Sequence, residues 1–282
     1  MLLTTQKILI VAALLVFGST AAAQSPSQRG YNLFNPVPGD RLRPLSADRP
    51  DATESPQTVD AGHLQLEMDI AAYLRDRSDA HVDGWAFAVT NIKLGLTHNV
   101  DLQLVVAPYS YVETRVGGTT TIAEGFGDLV LRTKVNLWGN DGDTKTAFAV
   151  MPFISFPTGR DDLGSDEVEG GIIFPLSVDL PRGWGLGLQL ELDVVRNSSD
   201  TGYQLDIANT IVLGHDIVGP LAGFVEFSSL FPGDSEAGWI GTLNVGLTYA
   251  IDQNTQLDVG AFLGLSSAAE DVVVFLGITR RF

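Results

Sequence analysis

From His63 onward the chain repeats one unit, a stretch of about ten residues in which apolar and polar positions alternate, bounded by Gly, Asp, Asn, Ser or Pro. The first, His63 to Arg75, sets Leu64, Leu66, Met68, Ile70, Ala72 and Leu74 against Gln65, Glu67, Asp69, Ala71 and Tyr73. Successive side chains of a strand point to opposite faces, so this segment has one greasy and one wet surface. Eleven further segments follow: Trp85 to Leu96, Asp101 to Arg115, Phe126 to Trp138, Thr144 to Ser155, Gly171 to Leu180, Trp184 to Arg196, Tyr203 to Leu213, Leu221 to Leu230, Trp239 to Ile251, Thr255 to Leu265 and Asp271 to Phe282. Trp184 to Arg196 is among the clearest, with Leu186, Leu188, Leu190, Leu192 and Val194 opposed to Gly185, Gly187, Gln189, Glu191 and Asp193.

The occupants of the two faces decide between a soluble sheet and a membrane barrel. A soluble sandwich crowds its wet face with Lys and Glu, whereas here the wet faces mix Gly, Asn, Gln and Thr with sparse charge. No stretch beyond residue 23 has the run of about 18 apolar residues that a helical span requires, so any membrane role must come from another geometry. The pattern predicts an all-β fold, a transmembrane antiparallel up-and-down β-barrel of about twelve strands. Connections after odd-numbered segments, such as 116–125 and 156–168, are longer than those after even-numbered ones, such as 97–100 and 252–254. Outer-membrane barrels have short periplasmic turns, which puts both termini in the periplasm. Trp85, Trp138, Trp184, Trp239, Tyr203 and Tyr249 stand near segment ends as an interface girdle requires, although strict alternation turns Trp138 inward.

Ahead of the barrel, Lys7 precedes the apolar run Ile8 to Phe17, and Ala21 to Ala23 supplies small residues for cleavage, so residues 1–23 read as a secretory signal peptide. Residues 24–62 hold Pro26, Pro36, Pro38, Pro44, Pro50 and Pro56 without periodicity and form an irregular periplasmic leader or a plug, and 63–282 form the barrel. The expected location is the outer membrane of a Gram-negative bacterium, reached by the general secretory route. Of 282 residues, 45% are hydrophobic and 18% charged, which excludes a disordered chain. The absence of Cys removes disulfides, thiolate metal sites and lipidation, and a net charge of -17 argues against a nucleic-acid partner.

Two stretches carry a resemblance: RPLSADRPDATESPQTVDAGHLQLEMD, Arg43 to Asp69, and PFISFPTGRDDLGSDEVEGGIIFPLSVDLPRGWGLGLQLELDVV, Pro152 to Val195. Both resemble the bacterial outer-membrane transporter family named for the meta-pathway of phenol degradation, with its DRPD-TESP lead-in, PTG loop and glycine-rich GW-LG strand. The resemblance spans Asp48 to Phe282, and the family's name implies export or uptake of small aromatic compounds. The terminal Phe282 resembles the signal read by the barrel assembly machinery. The expected partners are therefore outer-membrane lipid, that machinery and a small solute.

Candidate chemistry lies on the inward faces. Alternation turns Glu67, Asp69, Asp128, Asp179, Glu191, Asp193, Asp206, Glu226 and Asp258 into the lumen against Lys93, Arg132 and Lys134, together with Tyr109 and the rings of Phe87, Phe153, Phe224, Phe262 and Phe275. A narrow passage lined by uncompensated carboxylates favours cations or neutral solutes. Glu67 and Lys93 fall at similar heights on neighbouring strands and are placed to pair. The leader motif Asp48, Arg49, Pro50, Asp51, Thr53, Glu54, Ser55 and Pro56 carries hydrogen-bonding groups on a Pro-stiffened chain suited to folding into the barrel base. No catalytic, cofactor or metal residues are expected. His63, His81, His98 and His215 fall in connections or at strand ends, away from any inward serine, and the acidic run Asp161, Asp162, Asp166, Glu167 and Glu169 reads as a solvated loop without EF-hand spacing. The expectation is an outer-membrane channel or transporter for passive passage of small solutes, aromatic or hydrophobic compounds among the candidates. The alternative is a closed barrel with a structural or binding role and no transport.

Overall fold

A computed structural model describes residues 28–282 apart from 79, 161, 198, 200, 235 and 236, so the expected signal peptide lies outside the described residues. Fourteen strands follow in order: β1 Leu64–Asp76, β2 His81–Thr97, β3 Val100–Val106, β4 Tyr109–Val116, β5 Thr119–Gly125, β6 Leu129–Trp138, β7 Thr146–Phe156, β8 Glu169–Asp179, β9 Trp184–Arg196, β10 Tyr203–Val218, β11 Leu221–Phe231, β12 Ile240–Asp252, β13 Thr255–Gly264 and β14 Val272–Arg281. All pairings are antiparallel, and β1 pairs with both β2 and β14, which closes the sheet. Closure leaves the bilayer no open edge of unpaired backbone groups.

Fourteen strands make twelve staves. β3 and β4 both pair with β2 and form one stave interrupted at Ala107–Pro108, where proline has no N–H to give. β6 pairs with β3 while β5 pairs with β4, so β5 and β6 are one stave broken at residues 126–128, and the Gly127 N–H bonds the Ala107 carbonyl across the two breaks. The segment 116–125, expected as a loop, is instead the β4–β5 turn followed by the whole of strand β5. Its turn needs positive φ at two successive residues, which Gly117 (57°) and Gly118 (88°) supply.

At the same height β1, β2 and the β3–β4 stave share a one-residue slip. On β2 the buried positions run Val82, Gly84, Ala86 and then Val89, Asn91, Lys93, with Ala88 at φ 55° between the two sets. A slip of one residue turns every later side chain to the other face. The inward expectation for Phe87 and Tyr109 is thereby corrected: both are exposed on the outer face, where Tyr73, Trp85, Phe87, Tyr109 and Tyr111 form a cross-strand aromatic ladder. A register shift between Asn136 and Trp138 likewise leaves Trp138 exposed and stacked on Phe148, centroids 5.0 Å apart.

The barrel is inverted relative to a soluble protein. Its most buried side chains include Lys93, Lys134, Gln103, Glu226 and Asn244, while Leu131, Leu190, Ile211, Leu247 and Val259 are exposed around the outside. An apolar surface that encircles the molecule has bilayer lipid as its solvent. Inside, one row of the β11–β14 wall reads Phe224, Gly246, Gly260, Phe275, and each ring lies over the neighbouring glycine. Leu190→Arg on the outer face should destabilise the barrel by about 2–4 kcal/mol, the depth-dependent cost of a cation at the bilayer midplane. Denaturant unfolding in lipid vesicles measures this, and Gln189→Arg on the inner face of the same strand should not show the lipid-dependent part.

Candidate functional site: a leader seated in the lumen

Residues 43–60 enter at the end of the barrel that carries the short turns, rise to an apex near residues 50–53 and return. The two stems meet through Arg43 and Asp60, whose Nε–Oδ1 distance is 2.8 Å, and through the Ser46 and Ser55 hydroxyls at 2.6 Å. Asp60 also binds Arg281 of β14 at 2.8 Å, which fixes both stems to the wall at the base. Nearby, the His63 ring spans the main-chain oxygens of Val37 and Phe282, both at 2.8 Å. The apex contains a cis Arg49–Pro50 bond.

A backbone without a regular ladder still needs partners for its polar groups when it is buried. Wall side chains provide them. The Asp48 N–H donates to Glu67 at 3.0 Å, Ala52 to Glu226 at 2.7 Å, Glu54 to Gln189 at 2.6 Å, Thr58 to Asn140 at 2.9 Å and Val59 to Asp101 at 3.0 Å. Asn136 Nδ2 donates to the Pro56 carbonyl at 2.8 Å, and the Thr53 hydroxyl reaches Glu226 and Thr210, both at 2.6 Å.

Two charge centres hold the rising stem. Asp48 lies between Lys93 and Lys134, the latter 2.6 Å from both its oxygens, and Lys93 is also 2.5 Å from Glu67. Burial works against ionisation of Asp48, but the two lysines outweigh it and hold the carboxyl below the usual range. Arg49 bridges Asp69 of β1 at 2.6 Å and Asp258 of β13 at 2.9 Å. Between those strands β14 presents Gly277, paired in register with both aspartates. A Cβ at Gly277 would overlap the guanidinium, so only glycine leaves room for the cation. On the descending stem Glu54 binds Arg132 at 2.9 Å.

Asp51 differs from its neighbours. It is fully buried at the apex, and neither carboxylate oxygen has a hydrogen-bond donor among the described residues. Burial, and then the Glu226 carboxylate, push its carboxyl well above the usual carboxylate range.

The structure thus brings Glu67, Asp69, Lys93, Arg132, Lys134, Glu226 and Asp258 together around the leader, with Asp48, Arg49, Thr53, Glu54 and Ser55. Glu191, Asp193 and Asp206 stand apart on β9 and β10, half-buried, with Asp193 and Asp206 directly opposed in register. Asp128 is occupied by the 157–168 loop, accepting from the Gly159 N–H at 2.8 Å and the Ser165 N–H at 2.6 Å. Asp179 is exposed at the end of β8. Phe224 and Phe275 are buried, and Phe262 meets Phe275 edge-on at 5.2 Å. Alternation also points to Asp101, and to Arg281 in phase with Phe275, as participants in the site. Arg43 and Asp60 lie in the aperiodic leader and carry no such signal. Among the described residues no three His, Asp or Glu converge to hold a metal ion, and Asp161 lies outside them.

A closed antiparallel barrel with a lipid-facing exterior and a polar interior is an outer-membrane β-barrel. The family described as "Putative MetA-pathway of phenol degradation" matches residues 47–282, and the chain belongs to it. Among solved structures, the chain is similar to an outer membrane channel from Pseudomonas putida F1, with a TM-score of 0.64 and 14% identity over 83% of this chain and 99% of that one. It is also similar to the NanC porin, with a TM-score of 0.52 and 9% identity over 76% of this chain and 98% of the porin. At these identities the likeness is one of fold. No curated protein matches the sequence.

Two substitutions test the seating. Arg49→Ala leaves Asp69 and Asp258 buried without their cation, a loss of about 3–5 kcal/mol for a broken buried pair, and residues 48–56 should become exchange-labile while the strands stay protected. For Asp51, a raised pKa means that the seated state binds the proton more tightly than a released one. Seating is then strongest below the ordinary carboxylate pKa and weakens as pH rises through the raised value. Asp51→Asn should hold the leader more firmly at neutral and alkaline pH and flatten that dependence. Equal amide protection in wild type and variant across the range would contradict this.

Proposed function

We propose that this protein is an outer-membrane channel for passive passage of small solutes, in which the leader residues 43–60 act as a plug or gate. The single observation that carries the reading is the leader itself, bonded by its backbone and charges to the inner wall of a barrel of twelve staves. Barrels of about eight strands are filled by their own side chains and those of 16–18 leave an aqueous channel, so twelve staves enclose a lumen large enough to take a folded-in segment. That similar structures include an outer membrane channel and a porin supports transport over a purely structural role. The transport reading assigns the barrel no catalytic step.

The wall acids away from the leader set selectivity. Glu191 and Asp193 share the field of Arg132 with Glu54, and Asp206, which accepts from Gln204 Nε2 and the Gly233 N–H, faces Asp193 across β9 and β10. A confined excess of carboxylates attracts cations and repels anions. The family description points to aromatic compounds, and for a neutral phenolic solute the same lumen offers hydrogen-bonding side chains beside the Phe262 and Phe275 rings.

Planar-bilayer recording tests both parts. Deleting residues 43–58 should raise single-channel conductance, and unchanged conductance from a correctly folded barrel refutes the plug. Reversal potentials under a salt gradient should show cation preference, reduced by Glu191→Gln with Asp193→Asn; anion selectivity of the unmodified protein would sink the assignment.

A further inference from the structure

Before the leader enters the barrel it makes a tight turn, Asn32 to Asn35, whose two outer residues exchange backbone hydrogen bonds at 3.0 and 2.9 Å. The Asn32 side chain also accepts from the Phe34 and Asn35 N–H groups at 2.9 and 3.2 Å. The turn is fastened to the foot of β2, since Asn32 bridges Thr97 and the Leu33 N–H donates to the Leu96 carbonyl at 2.8 Å. Immediately behind it, Pro36 packs on Gly62 and Val37 is buried. This well-bonded turn presents Leu33 at 37% exposure and Phe34 at 94%. Leaving a whole phenyl ring in water forgoes the favourable burial of its apolar surface.

The position of the turn identifies what covers the ring. At the same end of the barrel the lipid-water boundary is marked elsewhere by exposed aromatic residues at strand ends, Trp138, Trp184, Tyr249 and Phe282. The feet of β1, β2 and β3 have none: residues 63–66 and 94–102 contain no Phe, Trp or Tyr. On those strands the outward row is Leu64, Leu94 and Leu102, paired in register and continuous with the lipid-facing belt. Aromatic side chains at the headgroup level anchor a membrane protein.

We propose that Leu33 and Phe34 insert into the periplasmic leaflet of the outer membrane, supplying the aromatic anchor that the feet of β1 to β3 lack and tethering the outer end of the leader to lipid. The inference rests on the membrane location of the barrel and is independent of whether solute passes through it.

The chain has no cysteine, so single-site labelling is direct. Phe34→Cys carries an environment-sensitive fluorophore in phosphatidylcholine–phosphatidylglycerol vesicles, with Leu137→Cys on the exposed lipid face and Asp40→Cys in the exposed leader as references. Folding of each is checked by heat-modifiable migration. The expected result is blue-shifted emission at position 34, quenched by headgroup-region nitroxide lipids to an extent comparable with position 137, while position 40 is quenched only by aqueous iodide. Emission at 34 that matches position 40 overturns the proposal. So does shielding at 34 that ignores nitroxide lipid and grows with the protein-to-lipid ratio, since a second copy would then cover the ring.

Discussion

The organising constraint is that no backbone N–H or C=O can be left without a partner once water is excluded. In the wall this forces closure, with β14 against β1. It applies with equal force inside, because the leader has left water without joining the sheet. Its N–H groups are received by Glu67, Glu226, Gln189, Asn140 and Asp101, side chains drawn from well-separated parts of the wall and its turns. The polar inner face therefore stands in for a neighbouring strand. A lumen lined only by Gly and Ala could hold water, but it could not hold this segment.

Charge adds register to that hold. Buried ion pairs contribute little net stability relative to apolar packing, yet breaking one by removing a partner is strongly destabilising. The Asp48 and Arg49 centres accordingly act on position more than on the total. A shift of one residue along the leader, in either direction, would face Asp69 and Asp258 with a carboxylate or a proline in place of Arg49. Gly277 sharpens the same requirement through shape, since the guanidinium lies where any Cβ would be. Asp51 opposes this arrangement. Its carboxyl is buried at the apex without a donor among the described residues.

The barrel was largely legible because lipid outside and a polar lumen inside impose a strict period of two over many residues. The alternating segment Trp184 to Arg196 coincides with β9 residue for residue. Legibility failed where the period itself broke. Nothing in the composition around Ala88 announces positive φ, and Phe87 and Tyr109 follow an alternation that the slip reverses. Pro108 was the available signal for a break in the stave, although a proline at an edge or bulge and one in a loop look alike in sequence. The leader was legible as a segment suited to the barrel base, but its partners were not. Its charges were visible as potential partners, but Arg49 meets Asp69 and Asp258 across 20 and 209 residues of chain, and Arg43 and Asp60 lack any periodicity that would orient them. Pairing of that range follows from closure of the barrel, not from local pattern.

The composition of the leader separates conductance from selectivity. Between residues 43 and 60 the chain carries Arg43 and Arg49 against Asp48, Asp51, Glu54 and Asp60, so its withdrawal would remove more negative than positive charge. The wall left behind would still present Glu67, Asp69, Asp101, Glu191, Asp193, Asp206, Glu226 and Asp258 against Lys93, Arg132, Lys134 and Arg281. Lumen polarity thus has the same sign with the leader seated or released, because acids outnumber bases on the wall itself. Withdrawal would also take Asp48 away from Lys93 and Lys134, leaving Lys93 with Glu67 on the wall. On the proposed reading, such a gate would change how much passes, while the sign of the ion preferred would remain a property of the staves.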